Sequence, residues 1–275
     1  MIPTDLPASH ITAPDGARAI VMHDGGHVVS WIPAGERANR LYVSERSAYG
    51  PGNAIRGGIP VIFPQFGAFG PLKQHGFARN CRWSTSPNDA VEPGTVRLQL
   101  VDTDDTRAMW SHRFLVELDV LVAGDTLHVA LHVHNTDAAP FAFTAAFHPY
   151  FAMRAAFTSR VEGLTGLRYR DARRDGSVFD ERDAALSIIG PLDRIYYDAP
   201  DALVIRDSDR SLHIAKHNFP DAVVWNPGSE GTASKADFVL GDELHMLCVE
   251  AALIARPRTL MPGESWSGVQ TIRAE

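Results

Sequence analysis

The sequence predicts an all-β protein, a large antiparallel β-sandwich with few short helices. Three observations predict this class. Apolar residues alternate with a period of two wherever a pattern is readable, turn residues bound nearly every such run, and no apolar stripe of helical period extends far. Val96-Leu98-Leu100 fits one short strand. The stretch from Asp102 to Arg113 suits a turn or two of helix, because Met109 and Trp110 do not continue into a stripe. Phe114, Val116, Leu118, Val120 and Val122 fall on one face of a strand, with Glu117 and Asp119 on the other. Leu127, Val129, Leu131 and Val133 repeat the pattern, alternating with His128, Ala130 and His132. Between these two runs, Ala123-Gly124-Asp125-Thr126 suits a tight hairpin turn. Leu203 to Ile205 and Leu212-Ile214 fit the same template.

The 275 residues suffice to bury a full core, and the 45% apolar content is that of a packed protein rather than a disordered one. The 18 prolines and 22 glycines are spread along the chain rather than pooled in a linker, and no repeat is visible, so one domain over residues 1–275 is expected. The net charge of −7 argues against broad phosphate-backbone binding, hence against nucleic acid and anionic membrane. No apolar run approaches the roughly 18–20 residues of a membrane span. The first five residues, Met1 to Asp5, lack the basic and apolar regions of a secretory signal. With only Cys81 and Cys248, no disulfide framework is encoded, and buried inert thiols in a cytoplasmic protein are expected.

The charge is unevenly distributed. From Arg46 to Asn88 there is no Asp or Glu, while Arg46, Arg56, Lys73, Arg79 and Arg82 contribute +5, so the rest of the chain carries −12. The window is rich in Gly and Pro, as in Arg56-Gly57-Gly58-Ile59-Pro60. Guanidinium groups fork onto phosphate oxygens and bare backbone approaches them closely, so the window suits a small anion; a solvated basic face is the bland alternative. Phe66, Phe69 and Phe77 interleave with the cations as in single-strand binders, which the acidic remainder opposes.

Two titratable residues stand in apolar surroundings. His148 ends the apolar run from Phe141, and Glu250 lies within His245-Met246-Leu247-Cys248-Val249-Glu250-Ala251-Ala252, which reads as a buried strand. A buried imidazole or carboxylate is paired or used. These residues suit an acid/base pair without specifying the reaction, and structural hydrogen bonding is the alternative for His148. His128, His132 and His134 are expected on the polar side of a half-exposed strand, since no carboxylate stands in ligand spacing and no H-E-x-x-H helix is present. No dinucleotide fingerprint, P-loop or nucleophile elbow occurs.

Six segments together carry a resemblance. Arg56-Gly57-Gly58-Ile59-Pro60, Phe63-Pro64-Gln65-Phe66-Gly67, Gln74-His75-Gly76-Phe77-Ala78-Arg79, Phe147-His148-Pro149-Tyr150-Phe151, Val224-Trp225-Asn226-Pro227 and Cys248-Val249-Glu250-Ala251 occur in this order. The chain resembles, from about Ala13 to Ile272, the glucose-6-phosphate 1-epimerases, the hexose-6-phosphate mutarotases of the aldose 1-epimerase superfamily. The resemblance implies a galactose mutarotase-like supersandwich that interconverts α and β anomers of a hexose 6-phosphate, an isomerase needing no metal and no cofactor. It implies His148 as general acid on the ring oxygen and Glu250 as general base on the anomeric hydroxyl, on opposite sides of the C1–O5 unit. It further implies that Arg56 and Arg79 hold the phosphate, with Gln74 and His75 beside them, and that Asp193 binds sugar hydroxyls. The alternative for Asp193 is a strand-end carboxylate paired with Arg194. Lys73 and Arg82 are weaker candidates for the anion site. The expected partner is a small sugar phosphate bound by a monomer. The competing functions are an epimerase of unphosphorylated aldoses and a carbohydrate-binding or regulatory module without catalysis.

Overall fold

The alternating runs pair as their patterns require. In the computed structural model, which describes residues 2–87 and 92–275, Phe114–Ala123 and Thr126–Asn135 form an antiparallel hairpin with Ala123 opposite Thr126. Gly124 turns the corner at φ +57°, a backbone region that costs glycine nothing. Met1 and Asn88, which end two of the stretches considered above, lie outside the described residues.

This hairpin lies in a nine-stranded sheet. The order across it is Ala185–Ser187, Arg160–Glu162, Ala202–Asp207, Arg210–His217, Ser265–Ala274, Thr126–Asn135, Phe114–Ala123, Thr95–Val101 and Ser84–Thr85. A second sheet of eight strands runs Ser177–Asp180, Arg168–Asp171, Leu192–Tyr196, Asp221–Asn226, Met246–Leu260, Phe141–Phe147 and Val61–Ile62, with Tyr150–Ala152 also paired to Met246–Leu260. A three-stranded sheet, Ala8–Thr12, Arg18–Met22 and His27–Ile32, completes the set. All pairings between these strands are antiparallel.

The two large sheets share one core. Leu98, Val116, Leu118 and Leu131 from the nine-stranded sheet join Phe147, Val224, Val249 and Ala251 from the other in a single buried cluster. Trp266 meets Phe143 and Phe219 across the layers, at centroid distances of 5.5 and 5.2 Å. Each such ring removes enough apolar area from water to stabilise the fold by about 1.5–3 kcal/mol. Helix is confined to short pieces. Asp104–Met109 is closed at its start by Thr103 and Thr106, whose side chains satisfy each other's backbone N–H groups. Gly228–Ala233 is the other α-helix among the described residues.

His128, His132 and His134 lie on the outer side of the nine-stranded sheet, as the alternation predicts. Their Nδ1 atoms meet the hydroxyls of Thr271, Ser267 and Ser265 at 3.0, 2.7 and 2.7 Å. Asp119 and Glu117, on the neighbouring strand, reach His132 and His134 at 3.2 Å. Spacing along one strand suggested no such carboxylates; the adjacent strand supplies them. No helix among the described residues is long and apolar enough to cross a membrane.

Candidate active site

The outer face of the eight-stranded sheet forms the floor of a cavity of about 390 Å³. Strand register assembles that floor. Arg170 lies opposite Ile195, Ile195 opposite Val223, and Val223 opposite Glu250, giving one row across four strands. The next row outward on the same face is Asp193, Trp225, Cys248 and Tyr150. Successive side chains of a strand point to opposite faces. Val249 and Ala251 therefore enter the core while Glu250 between them faces the cavity.

His148 is set by the same ladder. Phe147 pairs with Ala251 and Tyr150 with Cys248, so the register carried through His148-Pro149 brings His148 opposite Glu250, 102 residues away. His148 Nε2 and Glu250 Oε1 are 3.2 Å apart, and both residues are at least nine-tenths buried. The other polar atoms of the pair, His148 Nδ1 and Glu250 Oε2, have no partner among the described residues. The acid and the base that the resemblance implies are thus in direct contact.

Burial pushes the Glu250 carboxyl well above the usual carboxylate range, with Asp193 adding to the shift and Arg79 opposing it. Burial, followed by the neighbouring His75 and the Arg79 charge, holds His148 well below the ordinary imidazole value. Both directions favour the uncharged forms, a carboxylic acid beside a neutral imidazole.

Loops build the cavity wall. Buried Gln65 accepts from Leu72 N and donates to the Gly67 and Leu72 carbonyls, holding the 66–73 loop in shape. His75 sits at φ +69°, and its Nδ1 accepts from Gly67 N at 3.3 Å, so the neutral ring keeps its proton on Nε2. Burial, then Arg79 and Arg56, lowers its pKa to about 3. Its ring meets His148 edge-on, with centroids 5.7 Å apart.

The two arginines differ. Arg56 is engaged: Nε donates to Asp237 Oδ2 at 3.0 Å, Nη1 to the Tyr150 hydroxyl at 2.9 Å, and its plane covers the Phe238 ring. Among the described residues, Arg79 donates only to the Gln74 carbonyl, at 3.1 Å, and its buried Nε has no partner. Burial lowers its pKa, with Arg56 adding to the shift and Tyr150, Glu250 and Asp237 opposing it.

Arg56, Gln74, His75, Arg79, His148, Asp193 and Glu250 all line this cavity. Lys73 and Arg82 do not; Arg82 pairs instead with the buried Asp24, Nε to Oδ1 at 2.6 Å. Asp193 does not pair with Arg194, whose Nη1 donates to Glu181 at 2.9 Å. Adjacent residues of a strand face opposite ways, so that pairing was never available. Burial, then Asp171, raises the Asp193 pKa, against Arg170 and Arg173. Two charged cavity residues carried no signal in the sequence. Arg170 enters through strand register, with its guanidinium 5.1 Å from the Phe69 ring centroid, and Lys235 enters from the chain following Gly228–Ala233. No group of three or more His, Cys, Asp or Glu side chains among the described residues is placed to hold a metal.

Fold and site together define a mutarotase-like sugar isomerase. The chain belongs to the aldose 1-epimerase family, whose model matches residues 7–273. A relative from Cenchrus ciliaris, named "Putative glucose-6-phosphate 1-epimerase", is 38% identical over 256 residues, covering 89% of this chain and 77% of that one. A protein of the same name from Escherichia coli is 30% identical, covering 90% and 84%. The crystal structure of "a putative mutarotase (YeaD)" from Salmonella typhimurium superposes with a TM-score of 0.90 at 29% identity, covering 99% of this chain and 91% of that one.

Proposed function

We propose that the protein interconverts the α and β anomers of a hexose 6-phosphate, with glucose 6-phosphate as the foremost candidate. One observation carries this reading: a buried His–Glu pair in contact at 3.2 Å shares a cavity with an arginine whose Nε has no partner among the described residues. The relatives' names point the same way.

The chemistry follows from the proton count. Moving the proton from Glu250 to His148 gives an imidazolium and a carboxylate. The imidazolium then protonates the ring oxygen while the carboxylate takes the proton of the anomeric hydroxyl, and the C1–O5 bond breaks to give the open-chain aldehyde. The pair is again neutral imidazole and carboxylic acid, the state of the free protein. Rotation about C1–C2 and the reverse transfers close the ring on the other face of the carbonyl. No net proton enters or leaves. Ring oxygen and anomeric oxygen are both bonded to C1, so donor and acceptor side by side suit them better than groups on opposite sides.

Arg79, assisted by Arg56, Gln74 and His75, holds the phosphate in this reading, and Asp193 accepts from sugar hydroxyls. The sheets share one core, which supports a single domain over residues 1–275. Cys81 and Cys248 are unbridged, which supports a reducing compartment such as the cytoplasm.

A second reading, an epimerase of unphosphorylated aldoses, is favoured by the Arg56–Asp237 contact, which leaves Arg56 partly neutralised. Exchange NMR of the two anomers separates the readings. Catalysed exchange of glucose 6-phosphate well above that of glucose is expected; equal rates on both would refute phosphate selectivity. Binding without acceleration would leave only a non-catalytic sugar-binding module.

A further inference from the structure

Tyr150 occupies the junction between the arginines and the His–Glu pair. It stands in the outer row of the cavity floor, opposite Cys248, and is 3% exposed. Its ring stacks on His148, centroids 5.0 Å apart at an interplanar angle of 17°, and meets Trp225 edge-on at 5.8 Å. Packing alone is equally served by phenylalanine, as it is at the neighbouring, fully buried Phe151. The hydroxyl therefore needs its own explanation.

The phenol oxygen accepts from Arg56 Nη1 at 2.9 Å, and no group among the described residues accepts the phenol's own proton. A hydroxyl buried with an unspent donor costs stability unless a ligand uses it. The bond from a guanidinium polarises the phenol and strengthens it as a donor. Burial keeps the phenol protonated, since it raises the pKa above the ordinary tyrosine value despite the opposing pull of Arg56. A donor fed by a cation, within a cavity holding a second cation in Arg79, suits an anionic oxygen acceptor.

We propose that Tyr150 is a substrate-contacting specificity residue, its hydroxyl donating to a phosphate oxygen of the bound sugar phosphate while accepting from Arg56. This rests on the reading of the site as one for hexose 6-phosphates. It assigns the His-Pro-Tyr segment two tasks, with His148 facing the anomeric centre and Tyr150 the anion.

Tyr150→Phe keeps the ring against His148 and Trp225 and removes only the hydroxyl. The expected result is a KM for glucose 6-phosphate raised about ten-fold with kcat nearly unchanged, and an inhibition constant for inorganic phosphate raised by the same factor, the size of one hydrogen bond to a charged group. In an Arg56→Ala background the same substitution raises the phosphate constant again. An unchanged phosphate constant overturns the proposal. So does a rise that vanishes once Arg56 is gone, which reduces Tyr150 to positioning Arg56. In wild-type protein labelled at the tyrosine Cζ, the Tyr150 resonance shifts as inorganic phosphate is titrated; a stationary resonance overturns the proposal independently of any variant. Arg79→Ala separates the two levels. If it also leaves the phosphate constant unchanged, the phosphate reading of the cavity itself fails. If it raises the constant while Tyr150→Phe does not, only the role of Tyr150 fails.

Discussion

Glu250 and His148 touch, each with one polar atom unpartnered among the described residues, and three expectations follow at the level of single residues. Glu250→Gln removes the base while keeping the shape, so kcat falls about a hundred- to ten-thousand-fold with sugar-phosphate affinity largely retained; single-turnover kinetics with a binding isotherm tests this. Arg79→Ala removes a cavity cation whose Nε has no partner among the described residues. It raises KM for the phosphorylated sugar about ten- to hundred-fold with a smaller change in kcat, as steady-state kinetics would report. The pH profile of kcat/KM is bell-shaped. Burial displaces the acid limb, protonation of His148, below the ordinary imidazole range, and the alkaline limb, loss of the Glu250 proton, above the ordinary carboxylate range. A profile with a single limb would contradict a paired acid and base.

At the scale of elements, the wall of the cavity depends on backbone that only glycine adopts in close quarters. Gly76 has φ +69°, and a Cβ there stands 2.2 Å from the Phe63 carbonyl oxygen. That carbonyl accepts from both Phe77 N and Ala78 N, so it cannot retreat without opening the turn that delivers Gln74, His75 and Arg79. Gly76→Ala is expected to destabilise the protein by more than about 2 kcal/mol and to raise KM more than kcat falls. Denaturant unfolding and steady-state kinetics on one preparation test both. Asp221 does comparable work on the floor. Fully buried, it accepts from Ile254 N and Ala255 N at 2.8 Å each, where the Met246–Leu260 strand shifts register beyond Leu253. It holds backbone that the ladder leaves unpaired.

For the whole molecule, His27 ties the three-stranded sheet to the loop bearing Arg56. Its Nε2–H donates to the Gly57 carbonyl at 2.7 Å, and burial lowers its pKa from 6.5 to about 4. Above pH 6.5 the imidazole is neutral whether the chain is folded or unfolded. Below it the unfolded chain takes up a proton that the folded protein refuses until about pH 4. Stability is therefore lost across that window as pH falls, by roughly 3 kcal/mol from this residue. Urea unfolding from pH 7 to 4 should show this fall, with a shallower slope in His27→Gln, whose amide can still donate to Gly57. An unchanged slope would mean that His27 protonates without cost.

The alternation of Phe114 to Val133, the turn at Gly124, the acid-free window and the isolated Glu250 were legible because each depends on neighbours along the chain. Strand faces follow a period of two, tight turns follow from local sterics, and charge can be counted. The ladder decided the rest. Nothing near Glu250 reveals that His148 lies opposite it, because register is set by the pairing of whole strands. Charge counting gave Arg82 and Arg79 equal weight, yet one meets Asp24 and the other the cavity. Asp237, Arg170 and Lys235 reach the site from segments with no motif of their own. The composition and local pattern of this protein determined its class, its turns and the kinds of groups available for chemistry. Only the tertiary structure decided which groups meet, because proton sharing, desolvation and ion pairing act over a few ångströms in space, and long-range pairing determines which distant residues come within that range.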